Sequence, residues 1–132
     1  MPEMKGSFQL SSWTEDAYDE RDGRRLTHAS VSQRFEGDLA GDGAAEWLML
    51  YRPDGRARFI GFQIVDGEAA GRRGTLVLET AGEFDGRVAR WDATVVAGSS
   101  TGELKDATGA GKFEAPHGSK ASYELGLSLP ER

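Results

Sequence analysis

The residues able to do chemistry in this chain are few and scattered. His28 and His117 are its two histidines. Neither lies in an HExxH or CxxC-like spacing, so a zinc site would need carboxylates from distant strands. Cysteine is absent, which removes disulfides and thiolate catalysis and fits a reducing cytoplasm. A serine triad needs a nucleophile, a base and an orienting acid, and no Gly-x-Ser-x-Gly elbow is present. Gly41-Asp42-Gly43 offers half a dinucleotide fingerprint, but the third glycine is missing and a strand pattern follows. Gly98-Ser99-Ser100-Thr101-Gly102 has the glycines and hydroxyls to cradle an anion, yet it lacks the fixed lysine and the helix start of a phosphate loop. The reading is therefore no metal and no cofactor.

What remains are polar groups set in apolar strands. Glu46, Tyr51 and Glu79 are the candidate catalytic groups, because a carboxyl group drawn into a cavity has its pKa raised toward neutrality and can then serve as acid or base. His28, Trp47, Gln63, Trp91 and Tyr123 are candidate ligand contacts, and Trp13 adds a further large apolar surface. The competing reading is that each carboxylate faces solvent and each aromatic ring fills core. Glu46 faces outward if Trp47, Met49 and Tyr51 look inward, and inward if Leu48 and Leu50 do. His28 sits within a strand pattern that would let it point inside, whereas His117 follows Pro116 in an expected turn.

The elements that must position these groups read as strands. Asp-Gly occurs at positions 22–23, 42–43, 54–55, 66–67 and 85–86, and this dipeptide favours tight hairpin turns. The prolines, Pro2, Pro53, Pro116 and Pro130, fall at expected ends or turns. Between the turns the hydrophobic period is two: Ala89, Trp91, Ala93 and Val95 share one face, as do Ala121, Tyr123, Leu125, Leu127 and Leu129. The expected strands are 5–13, 25–36, 45–52, 56–65, 73–81, 87–97, 108–115 and 120–129. Short connections make a meander, which closes into an antiparallel barrel and so removes exposed edges; an open sandwich is the rival. Two strands, Trp47–Tyr51 and Phe59–Val65, are apolar on both faces. Their outer side must be covered, either by a second subunit in a homodimer or by residues 14–21 folding back.

The 132 residues fit one domain, 1–132. The net charge is −6 with both signs mixed, and the densest basic spots are only Arg24-Arg25 and Arg72-Arg73, so no nucleic-acid partner is expected. The first residues lack the apolar core of a secretory signal and no apolar stretch approaches a membrane span, so a soluble, cytoplasmic protein is expected.

The order of short motifs then resembles a bacterial family of uncharacterised small proteins. The matching pieces begin with Trp13-Thr14-Glu15 and Tyr18, Ala29-Ser30-Val31, Phe35-Glu36-Gly37-Asp38-Leu39 and Gly41-x-Gly43. They continue through Leu48-Met49-x-Tyr51, Asp54-Gly55, Phe59-x-Gly61, Gly71-Arg72-x-Gly74 and Val77-Leu78. They close with Val95-Val96-x-Gly98-Ser99 and Thr101-Gly102-Glu103-Leu104. That family looks like a relative of the allene oxide cyclase barrel. The resemblance implies an eight-stranded antiparallel barrel with a central cavity, apolar substrates and neither redox cofactor nor required metal. It also implies an acidic residue where Gln63 stands and a histidine where Thr80 stands. Three functions follow as expectations: a cofactor-free isomerase or cyclase, a binding barrel for a small apolar molecule, and a solid structural or stress-associated barrel closed by Trp91, Phe113, Tyr123 and Leu125.

Overall fold

A computed structural model describes residues 3–116 and 120–131; Pro2 and His117 lie outside the described residues. The strands are β1 (Glu3–Arg21), β2 (Arg24–Gly37), β3 (Leu39–Tyr51), β4 (Ala57–Ala69), β5 (Arg72–Phe84), β6 (Val88–Val95), β7 (Thr101–Gly102), β8 (Thr108–Pro116) and β9 (Ala121–Ser128). Successive strands pair antiparallel from β1 to β6, then β6 with β8 and β8 with β9. β9 returns to β1 through Phe8↔Ala121 to Glu3↔Gly126, closing a ring of eight strands. The two-residue β7 lies beside β5. The closed barrel expected from the sequence is thus present, with no helix among the described residues.

Parity decides what each strand delivers to the interior. On β3, Ala45, Trp47 and Met49 are buried while Glu46 and Leu48 are exposed, which settles the choice that apolarity on both faces had left open. On β4, Phe59, Gln63 and Val65 face in, and Ile60, Phe62 and Ile64 face out. The expected inward sets of β6 and β9 are buried from Trp91 to Val95 and from Ala121 to Leu127, with Ala89 partly buried, as period two requires.

Three of the five Asp-Gly pairs make turns, at 22–23, 54–55 and 85–86. Asp22 and Gly23 both take positive φ, 53° and 82°, as the tight hairpin demands. The other two pairs are corrected: Asp42-Gly43 and Asp66-Gly67 lie inside β3 and β4, where Asp42 pairs with Asp66. Residues 14–21 are corrected as well. They do not fold over the outer wall but continue β1, pairing with β2 beyond a register shift between Leu10 and Ser12. That extra residue exchanges the faces, so Trp13 and Glu15 stand opposite the inward Val31 and Ala29. The outer face of β3 and β4 is left bare, with Leu48, Ile60, Phe62 and Ile64 all about half exposed.

The barrel is closed at one end and packed through its middle. The β6–β8 connection seats buried Leu104 and Ala107 in the core at the closed end. Above them Phe8, Phe35, Phe113 and Tyr123 form a contiguous ring cluster with centroid separations of 5.3–6.2 Å, and Trp91 stacks on Phe113 at 5.3 Å. Each fully buried ring contributes roughly 1.5–3 kcal/mol by leaving water. The central cavity expected from the resemblance is therefore filled by aromatic side chains. Tyr123 also ties the ring together: its hydroxyl accepts from the Leu39 N–H at 2.9 Å and donates toward the Leu39 carbonyl at 2.7 Å. Gly6 makes room for it, since a Cβ there would lie 2.4 Å from the Tyr123 oxygen. No helix among the described residues is long and apolar enough to cross a membrane.

Candidate functional site

Above the aromatic plug, the end of the barrel opposite Leu104 keeps an apolar pocket of about 390 Å³. Trp47 and Trp91 form its floor, with centroids 5.1 Å apart. Met49 and Tyr51 climb the wall on β3, Phe59 stands on β4 and Phe84 ends β5. Trp13 and Leu10 come from β1 on either side of its bulge, and Ala89, Ala115 and Pro116 complete the rim beside Arg87. The volume lies near the lower end of the range for small-molecule pockets.

The floor is held from behind by polar contacts. Trp47 Nε1 donates to Thr80 Oγ1 at 3.0 Å, and Thr80 Oγ1 donates to the Gly61 carbonyl at 2.9 Å. Gly61 pairs with Trp47 across the ladder, and a Cβ there would meet Trp47 Cδ1 at 2.8 Å, so only glycine lets the indole lie flat. Trp91 Nε1 donates to Gln63 Oε1 at 3.3 Å, and Gln63 Nε2 donates to Gln33 Oε1 at 2.7 Å. The Trp91 donor fixes the orientation of the first amide and, through it, of the second. Gln33 Nε2 is left buried without a partner among the described residues. Gln63 and Thr80, the two positions where the resemblance implies ionisable side chains, are here uncharged members of this support.

Comparison with known proteins gives a family. A family model described as a protein of unknown function, DUF3224, matches residues 4–127. The chain belongs to the DUF3224 family. It is similar to a crystal structure of a DUF3224 protein of unknown function from Shewanella oneidensis MR-1, with a TM-score of 0.79 at 23% identity over 100% of this chain and 99% of that one. At that identity the likeness bears on the fold alone. A search of curated proteins finds no match.

In this DUF3224 chain the residues singled out from sequence separate into three places. Tyr51, Trp47 and Trp91 line the pocket. Gln63 and Tyr123 are buried in the barrel but outside the pocket lining, one behind the floor and the other near the closed end. His28, Glu46 and Glu79 are on the outer wall, which corrects the expectation that they could reach the interior. Glu46 Oε1 there accepts from Ser30 Oγ at 2.7 Å and lies 2.8 Å from His28 Nε2. The parity that buries Trp47 sends its neighbour Glu46 outward, and Glu79 pairs with the outward Phe62.

Sequence reasoning missed one inward carboxylate, Glu15, because the bulge had not been anticipated. Its Oε1 accepts from Trp13 Nε1 at 2.9 Å and its Oε2 from Thr27 Oγ1 at 2.5 Å. Burial pushes the Glu15 carboxyl up, but donation from Thr27, Tyr51 and Trp13, with the charge of Arg25, outweighs it and holds the group below its ordinary value. Burial, followed by the facing Glu15, pushes the Tyr51 hydroxyl up to about 12, so it is a neutral hydrogen-bonding group at physiological pH. Met49, Phe59, Phe84 and Arg87 were also missed; Met49 shares the parity of Trp47, but the chain offers no local signal for Arg87. A larger charged groove of about 660 Å³ runs over the outer wall. Its ionic groups largely satisfy each other, as in Arg58–Glu83 at 2.6 Å and Arg90–Glu114 at 3.4 Å, so the apolar pocket is the better candidate site. Among the described residues no group of three or more His, Asp or Glu could hold a metal ion.

Proposed function

We propose that this barrel binds one small, largely apolar molecule in the pocket at its open end. The observation that carries the reading is an apolar space of about 390 Å³ walled by three tryptophans, two of them held in place from behind. Unfilled space of this kind costs packing energy, and an apolar guest recovers it. The resemblance of the sequence motifs to allene oxide cyclase-like barrels supports the same reading by fold analogy only. For an isomerase or cyclase, Tyr51 is the single titratable wall residue besides Arg87 among the described residues, and it stays neutral. Glu15 is ionised and accepts several donors, which makes it a weak base. Binding without transformation is therefore the function the geometry favours. Native mass spectrometry of the chain purified from its own host tests it: a co-purified, unmodified apolar compound is the expected result, and a chain that takes up no apolar probe in solution rules the reading out.

A second part of the proposal concerns the outer face of β3 and β4. Leu48, Ile60, Phe62 and Ile64 form an exposed apolar centre, bounded by the ion pairs Arg58–Glu83 and Arg34–Asp42 at its two ends. An apolar centre within a polar rim is the anatomy of a protein interface, and a second copy of this chain, related by a two-fold axis, is its occupant.

A further inference from the structure

We propose that the pocket selects a monoanion, a molecule with an apolar body and one carboxylate or sulfonate group, and that Arg87 receives the charge. The inference rests on the pocket being a binding site and adds the chemical class of its guest. Arg87 is the one charged residue lining the pocket among the described residues, and no ion pair engages its guanidinium there. Its neighbour Asp85 does not supply one. Asp85 Oδ1 accepts the backbone N–H groups of Arg87 and Val88 at 2.9 and 2.8 Å, and Oδ2 faces Arg90 at 3.6 Å. Glu15, which accepts from the pocket-wall residue Trp13, is occupied by Trp13, Thr27, Tyr51 and Arg25.

Among the described residues the site therefore presents a cation without an ion pair at the lip of an apolar cavity, in a protein whose net charge is −6. A neutral guest would use the rings and leave the guanidinium to solvent. An anionic one would use both, gaining a charge-assisted hydrogen bond whose geometry Arg provides in a planar fork. A dianion would meet one cation only. A cation would be repelled.

Two fluorescent probes with one aromatic skeleton test this: 1-anilinonaphthalene-8-sulfonate and N-phenyl-1-naphthylamine, which lacks the sulfonate. Each is titrated into the full chain, into Arg87→Gln and Arg87→Lys, and into Ala115→Trp, which plugs the pocket, with Ala89→Phe as a second plug. Only binding removed by a plug is counted, so that binding to the exposed face around Ile60 and Phe62 is set aside. The expected result is an anionic probe held roughly tenfold tighter than the neutral one, the preference falling to within about twofold in Arg87→Gln and surviving in Arg87→Lys. Equal affinities in the unmodified chain, or a preference that persists in Arg87→Gln, overturns the anion inference while leaving the pocket as a binding site. If neither probe shows binding that a plug removes, the proposed function falls and this inference with it.

Discussion

The indole N–H of Trp91, on the pocket floor, donates at 3.3 Å to Oε1 of Gln63, a buried residue outside the pocket lining. A residue that looked from sequence like a ligand contact is thus a positioning residue. Gln63→Leu takes an acceptor from Trp91 and a donor from Gln33 in a dry interior, where an abandoned polar group costs about 1–3 kcal/mol. The expected outcome is a lower urea midpoint and weaker binding of N-phenyl-1-naphthylamine, because the floor loses its fixed plane. Unchanged affinity in a folded Gln63→Leu variant would show that the amide does not hold the floor.

Tyr123 provides the contrasting case. Its hydroxyl serves Leu39 N–H and C=O and lies 3.1 Å from the Glu36 carbonyl, joining β9 to the β2–β3 connection. Tyr123→Phe leaves these backbone groups short of a partner at a cost of about 1–3 kcal/mol. Urea denaturation is expected to record that loss while probe affinity stays the same, since Tyr123 lies outside the pocket lining. A loss of affinity without a loss of stability would instead return Tyr123 to the site.

The Glu15 carboxyl, held below its ordinary value of 4.5, links stability to pH. A group whose pKa is depressed on folding stabilises the native state above its unfolded pKa and ceases to do so as pH falls through the folded value. Glu15→Gln is therefore expected to lower the melting temperature at pH 7, and the gap to the unmodified chain should narrow below about pH 4.5. Melting curves by circular dichroism across pH 7 to 3 check it; a gap independent of pH would refute the linkage.

Period-two alternation carried the strands and the closed barrel because side-chain direction is set by local geometry alone. Three things lay beyond its reach. A strand apolar on both faces gives no parity, so the choice between Glu46 and Trp47 had to wait for three-dimensional packing. A bulge inverts parity without a fixed sequence mark, which hid the inward turn of Glu15 and left residues 14–21 as a segment that could fold back over the outer wall. Glycine serves both turns and close strand approach. At Gly67 a Cβ would lie 2.0 Å from the Ala40 carbonyl, so the glycine of Asp66-Gly67 answers to its neighbouring strand and not to a reversal of the chain. The pocket was legible only through its aromatic residues, since Arg87 and Phe84 owe their places to where two strands end.

The outer face of β3 and β4 gives the last test, because it separates folding from association. Ile60 is 58% exposed and Phe62 51% exposed. Replacing either by a charge removes little buried area from the isolated barrel, and a surface change of this kind usually alters stability by no more than about 0.5 kcal/mol. In a two-fold pair the same change counts twice, once in each copy, and places a charge within the apolar centre of the contact. Ile60→Lys and Phe62→Lys are therefore expected to shift sedimentation velocity from dimer to monomer while thermal unfolding of the monomer stays within a few degrees of the original. The ion pairs at the rim, Arg58–Glu83 and Arg34–Asp42, are exposed and screened by salt, so raising the ionic strength should leave the dimer largely intact if apolar burial holds it. A chain that sediments as a monomer at all concentrations tested would remove the pairing and leave the pocket proposal untouched, because every lining residue of the pocket among those described belongs to a single copy.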